Sequence, residues 1–139
     1  MNEGFRYRRK VQFHETDLAG VAHFSWFFRY MEEAEHALWR AAGMSIDRAG
    51  GEVGWPRVSA SFDFRKPLRF EDDFEVVVRI DTVSGRSIRY TFTIVRGDTL
   101  IGEGSMTSVY ATREPGEPMK AAAIPADIVE KLRNAALAP

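Results

Sequence analysis

The stretch from Phe24 to Gly43 fits one local structure, a long amphipathic helix, and the rest of the chain must be arranged around it. Phe24, Phe27, Met31, Ala34, Leu38 and Ala41 recur at spacings of three and four, with Arg29, Glu32, Glu33, His36 and Arg40 on the opposite side. Gly43 stands where a left-handed residue would end the helix. Trp26, Phe28, Tyr30 and Trp39 widen the apolar surface beyond one stripe. A surface that wide suits a helix wrapped by a sheet or one that also touches a second subunit. Ala34, Ala37, Ala41 and Ala42 would let neighbouring backbone come close.

On both sides of this helix the period falls to two. Phe5, Tyr7, Arg9, Val11 and Phe13 alternate with Arg6, Arg8, Lys10, Gln12 and His14, a half-buried strand but for Arg9. After the helix, Met44 to Trp55 is a Gly-rich connection with room for a short helical turn at Ser45 to Ala49. Arg57 to Arg65 alternates, with Val58, Ala60, Phe62 and Phe64 on one face, until Lys66-Pro67 breaks it. Phe74 to Val83, Ile88 to Val95 and Leu100 to Thr112 follow, joined by turns at Ser84-Gly85 and Gly97-Asp98. Those turns imply consecutive antiparallel hairpins. Ile124 to Leu137, with Pro125 at its start, reads as a short surface helix. The expected fold is α+β, an antiparallel sheet of about five strands wrapped around one long central helix.

With 139 residues the chain suits a single domain, its core about residues 5–113 and its last helix about 125–137. Nineteen basic and 20 acidic residues leave a net charge of -1, so no broad positive field exists for a nucleic acid. There is no cysteine, which excludes disulfides, thiolate metal sites and a cysteine nucleophile. The first ten residues lack the apolar core of a signal peptide, and no apolar run approaches the roughly 20 residues that span a bilayer. A cytoplasmic protein without membrane insertion is expected.

The segment Glu15-Thr16-Asp17-Leu18-Ala19-Gly20-Val21-Ala22-His23-Phe24, ahead of the long helix, resembles the hot-dog fold. More narrowly it is similar to the 4-hydroxybenzoyl-CoA thioesterase family, including the acyl-CoA thioesterases associated with the Tol-Pal system. The family's aspartate after the first strand, its glycine three residues on and its aromatic or histidine residues before the helix are matched by Asp17, Gly20 and His23-Phe24. The likeness runs from about Arg6 to Ile128 and includes Arg65 to Asp73 and the turn Gly85-Arg86-Ser87. Where the family often has asparagine and tyrosine, this chain has Trp26 and Phe27, and the frequent histidine or tyrosine is Phe24. The resemblance implies hydrolysis of an acyl- or aryl-CoA thioester, with no metal or other cofactor and coenzyme A as part of the substrate. It also implies a homodimer or homotetramer with the site at the subunit interface. The Val58 to Phe64 strand is the expected pairing edge, since an unpaired edge is a liability.

Thioester hydrolysis needs a base or nucleophile for the acyl carbon and donors for the oxyanion. From the residues alone, Asp17 reads as a turn or capping aspartate near the core; the resemblance implies that it is the nucleophile or general base. The oxyanion donors would be main-chain N–H groups around His23 and Phe24, at the positive end of the helix dipole, with Gly20 letting the loop approach the acyl group. His23 could orient the thioester, donate to its oxygen, assist water, or simply hydrogen-bond backbone at the helix start. Glu32, Glu33 and Glu35 read as a solvated face or subunit contact, with Glu32 or Glu33 as the alternative base. Arg86, Ser87, Arg65 and Lys66 are candidates for the coenzyme A phosphates, with Arg57, Arg89 and Arg113 behind them. Trp26, Phe27, Phe24 and Phe62 could line the acyl pocket. His14 and His36 match no metal spacing. Two rival readings are an enoyl or hydroxyacyl thioester hydratase, which needs a paired histidine and acid, and a non-catalytic acyl-CoA-binding protein.

Overall fold

The computed structural model describes residues 4–47 and 52–137. The chain runs from β1 (Phe5–Lys10) through a single 3-10 turn (Phe13–Glu15) into α1 (Ser25–Ala41). Next come β2 (Val53–Gly54), β3 (Arg57–Phe64), β4 (Asp73–Val83), β5 (Ser87–Arg96), β6 (Thr99–Val109), β7 (Ala111–Thr112), β8 (Lys120–Ala121) and α2 (Ala126–Leu137). Five strands form one antiparallel sheet in the order β1-β4-β5-β6-β3. A second, small sheet, β2-β7-β8, closes one end. This is the hot-dog arrangement expected, including the two hairpins β4-β5 and β5-β6.

The helix fills the sheet's concave face because its apolar stripe and the sheet's inward residues interlock. Phe27, Met31, Ala34, Leu38 and Trp39 pack against Val76, Val78, Tyr90, Phe92, Ile94 and Met106, all buried. Burial of such side chains is worth ~1.5–3 kcal/mol each. Gly43 ends the helix as expected, at φ +81°. The terminal α2 is not merely superficial: Ile128, Leu132 and Ala136, four apart, are buried against the same core. Among the described residues no helix is long and apolar enough to cross a membrane.

Several local expectations change. The first strand stops at Lys10, and the 3-10 turn swings Phe13 and His14 outward, leaving Phe13 73% exposed. Phe24 and Ala41, at the ends of the supposed apolar stripe, are exposed, whereas Tyr30 and Glu35 are buried. On β3 only Phe62 is buried, since the strand is a sheet edge and a bulge between Arg57 and Ser59 breaks its alternation. The last long strand divides at Tyr110, whose amide turns to the Arg86 carbonyl. The helical turn expected at Ser45 to Ala49 falls partly outside the described residues; Ser45–Asp47 is non-helical, with the Asp47 amide bonded to Ser45 Oγ.

Two glycines of β6, Gly102 and Gly104, leave room for Phe62 of β3, and Gly104 also for Met31 of the helix. A Cβ on Gly104 would stand 2.5 Å from the Ser61 carbonyl oxygen and 2.7 Å from both Met31 Sδ and a Phe62 ring carbon. No side chain fits without moving backbone. Gly104→Ala should therefore lower stability by about 1–3 kcal/mol, read as a shift of the urea midpoint with an unchanged slope.

Candidate active site

The site's foundation is a charged cluster under the segment that joins β1 to α1. Arg9 points inward from β1, and a lone guanidinium there would be costly to bury. Two carboxylates grip it. Its Nη1 and Nη2 donate to Glu15 at 2.9 and 2.6 Å, and its Nε and Nη2 donate to Glu33 of α1 at 2.9 and 3.1 Å. Tyr30 donates to Glu15 Oε1 at 2.8 Å, Tyr7 to Glu33 Oε1 at 3.0 Å, and the Gln12 amide to Glu15 Oε1 at 2.9 Å. Arg9 also stacks over the Tyr30 ring, 5.0 Å from its centroid.

This network perturbs its members in ways the geometry explains. Burial pushes the Glu15 carboxyl up, but hydrogen bonds from Arg9, the Gln12 amide and Tyr30, together with the Arg9 charge, outweigh it and hold the group below its ordinary range. Burial and the Glu15 carboxylate push the Tyr30 hydroxyl well up. Burial and Glu33 do the same to Tyr7.

Glu15 also carries the loop above it. Its carbonyl accepts the His23 amide at 2.8 Å, and Thr16 faces Ala22 across a short antiparallel bridge. Between them the chain makes a tight turn in which the Asp17 amide donates to Val21 O and the Gly20 amide to Asp17 O, both at 2.9 Å. Gly20 is required there for its φ of +80°, not for close approach, as a Cβ would meet nothing within 4 Å. The Asp17 carboxylate is exposed, which corrects the expectation of a place near the core; the buried carboxylate is Glu15. Asp17 Oδ1 accepts the Ala19 amide at 2.9 Å and the Val21 amide at 3.5 Å, an Asx turn, while Oδ2 has no partner among the described residues.

Two open depressions flank the helix start. One, about 790 Å³, is lined by Asp17, Gly20, His23 and Trp26, with Phe13, Leu18 and Phe70 on its rim. The other, about 280 Å³, is lined by Ala22, Phe24, Phe27 and Phe64, with Arg65, Lys66 and Pro67 at its edge. The amides between them are mostly engaged: Ala22 N donates to Leu68 O, His23 N to Glu15 O, and Ser25 N to His23 Nδ1. That removes His23 N from the expected donors and leaves Phe24 N as the amide without an acceptor among these four described residues.

The remaining sequence candidates divide. Phe27 and Phe24 wall the smaller depression, but Phe62 lies behind Phe27, 5.1 Å between ring centroids, as part of the core. Trp26 lines the Asp17 side, edge-on to His14 at 5.4 Å. Lys66 has no partner among the described residues, and Arg65 pairs with Glu103 at 3.5 Å in the open. Arg86 and Ser87 stand at the opposite end of β4 and β5, with Ser87 Oγ 2.6 Å from Ser84 Oγ. Arg57 is committed to buried Glu35 and to Glu32, and Arg89 to Asp81. The acidic run is thus not a solvated face: Glu33 holds Arg9, and Glu35 holds Arg57. Neither Glu32 nor Glu33 lines the Asp17 depression: Glu33 is engaged with Arg9, and Glu32 lies 3.5 Å from Arg57. Glu15 is the residue that the sequence reading missed. Its signal was Arg9, the one charge on an apolar strand face, which requires a buried carboxylate partner.

A family model described as the thioesterase-like superfamily matches residues 11–132. A 1,4-dihydroxy-2-naphthoyl-CoA hydrolase of Prochlorococcus marinus is 33% identical over 104 residues, 68% of this chain and 69% of that protein. Among solved structures, a hypothetical protein of Aquifex aeolicus is 28% identical with a TM-score of 0.84, covering 92% of this chain and 98% of that one. The Synechocystis protein Slr0204, a 1,4-dihydroxy-2-naphthoyl-CoA thioesterase, shares the fold at 24% identity and a TM-score of 0.84, over 92% and 94% of the two chains.

Breaking the Arg9 clamp should be costly. Glu15→Gln keeps the shape but removes the charge, and should lower stability at neutral pH by about 3–5 kcal/mol. Because the folded carboxyl titrates below its unfolded value, its contribution is complete above the unfolded pKa of about 4.3 and is lost as pH falls through the folded value. Urea unfolding across that acid range should fall steeply for the parent protein and more shallowly for Glu15→Gln.

Proposed function

The chain belongs to the thioesterase-like superfamily of thioester hydrolases, and from that premise we propose that it hydrolyses an acyl- or aryl-CoA thioester to the free acid and coenzyme A. The observation that carries this reading is that Asp17 and the acceptor-free Phe24 amide stand on the two sides of the helix start, each lining one of the depressions there. A carboxylate with one unengaged oxygen and a helix-start amide without an acceptor are what the two halves of the reaction need. Asp17 Oδ2 activates water or attacks the acyl carbon. The Phe24 N–H, at the positive end of α1, receives the oxyanion. The names of the relatives, 1,4-dihydroxy-2-naphthoyl-CoA hydrolase and thioesterase, support the CoA ester as substrate.

The acyl group fits the apolar depression between Phe24, Phe27 and Phe64, and Lys66 and Arg65 at its edge suit the coenzyme's phosphates. Arg86 stands roughly 35 Å away along β4, at about 3.3 Å per residue. It serves the same site only through association. Antiparallel pairing of β3 with a second copy reverses the second sheet, which brings the partner's Arg86 to the Asp17 end of the first. The exposed β3 edge, with Val58 61% and Phe64 50% exposed, supports such a dimer.

The test is thiol release from a panel of acyl- and aryl-CoA esters. Asp17→Asn should fold normally and lose about 10²–10⁴ in kcat; a folded variant with parental turnover refutes the assignment. Sedimentation should show a dimer or larger, and a monomer at micromolar concentration would refute pairing at β3.

A further inference from the structure

His23 is held in an arrangement that decides what its ring can do. The Ser25 main-chain N–H donates to His23 Nδ1 at 3.3 Å, and Ser25 Oγ lies 2.9 Å from the same nitrogen. A ring nitrogen that accepts an N–H presents its in-plane lone pair and cannot carry a hydrogen of its own. In the neutral imidazole the proton is therefore on Nε2, an assignment made from the hydrogen-bond network. Phe24 already has helical dihedrals, φ −56° and ψ −31°. His23 thus stands in the capping position, and its Nδ1 does what a serine or aspartate oxygen usually does there. The ring also lies on Phe24, with centroids 4.6 Å apart. The cap and this ring contact both restrain its orientation, and Nε2 has no partner among the described residues. The ring is exposed and lines the same depression as Asp17.

Resting on the thioesterase reading above, we propose that His23 acts in that site as a neutral hydrogen-bond donor through Nε2–H to the thioester oxygen, and not as a base. A base needs a bare nitrogen facing the substrate, and the bare one here is turned to the main chain. With Nδ1 taken by the Ser25 amide and the hydrogen on Nε2, no proton passes through the ring. In the hydrolytic form of the step, water oxygen bonds to the acyl carbon as Asp17 takes its proton, the C–S bond breaks, and the coenzyme thiolate takes that proton back. Throughout, Nε2–H holds the oxygen on which charge rises and falls. Donation without transfer also separates this site from a hydratase, whose histidine must exchange a proton with carbon-bound hydrogen or water.

Two measurements test this. His23→Ser keeps a capping oxygen but has no donor that reaches the substrate, so its Tm should stay near parental. Its kcat should fall about 10²-fold with little change in KM, as when one oxyanion donor is lost. Parental kcat in folded His23→Ser would reduce the histidine to a cap and overturn the proposal. Nitrogen-detected NMR of the histidine rings in the unmodified protein should show His23 protonated at Nε2 and bare at Nδ1; the reverse tautomer overturns it without reference to activity. Should the unmodified protein release no thiol from any CoA ester while Nε2 is protonated, it is the thioesterase reading that fails, and with it the donor role.

Discussion

The salt bridge between Arg9 and the carboxylates of Glu15 and Glu33 joins three pieces of chain that have little else in common. Arg9 comes from the edge strand β1, Glu15 from the turn that leaves it, and Glu33 from the middle of the central helix. Taking Arg9 and Glu15 out of water is expensive, and the geometry repays it because the guanidinium is gripped by two carboxylates, one of them still reaching solvent. Tyr30 and Tyr7 complete the set from the helix and the strand. The result is a rigid base on which the short loop with Asp17 rests, tied down again by the bond from the His23 amide to the Glu15 carbonyl.

A second buried pair does the same work on the opposite side of the helix, at nearly the same height. Arg57, at the start of β3, reaches Glu35, which is 1% exposed, and also Glu32 and Ser108. The central helix is therefore pinned to both edges of the sheet, to β1 through Glu33 and to β3 through Glu35. Two fixed ion pairs set its register, and the helix start, where Phe24 and His23 stand, inherits that precision.

Much of this could be read from the residues. The alternation of β1, the three- and four-residue spacing of α1 and the two Gly-marked hairpins gave the architecture, since each is a periodicity that burial enforces. The place of Asp17 and Gly20 in a turn before the helix was equally plain. What could not be read was which carboxylate is buried. Glu15 and Asp17 are two apart on one polar segment, and only the 3-10 turn, set by contacts to Tyr30 and Arg9, decides that the first goes in and the second out. The acidic helix run misled for a related reason: a charge run looks solvated until the arginines that reach it from distant strands are known. Arg86 remained ambiguous because a residue far from a site in one chain can be near it in a pair.

Where the helix meets β6, the absence of side chains at Gly102 and Gly104 has a consequence for how this scaffold can change. Phe62 lies flat over that bare strand, and Phe27 lies on Phe62, so the apolar hollow rests on a floor already compressed to backbone contact. Such a floor cannot deepen or rise. The mutable surfaces are the walls at Phe24 and Phe64, both half exposed or more. In this chain the hollow can therefore change shape only at its two exposed walls, while the aromatic stack beneath them is fixed by backbone contact.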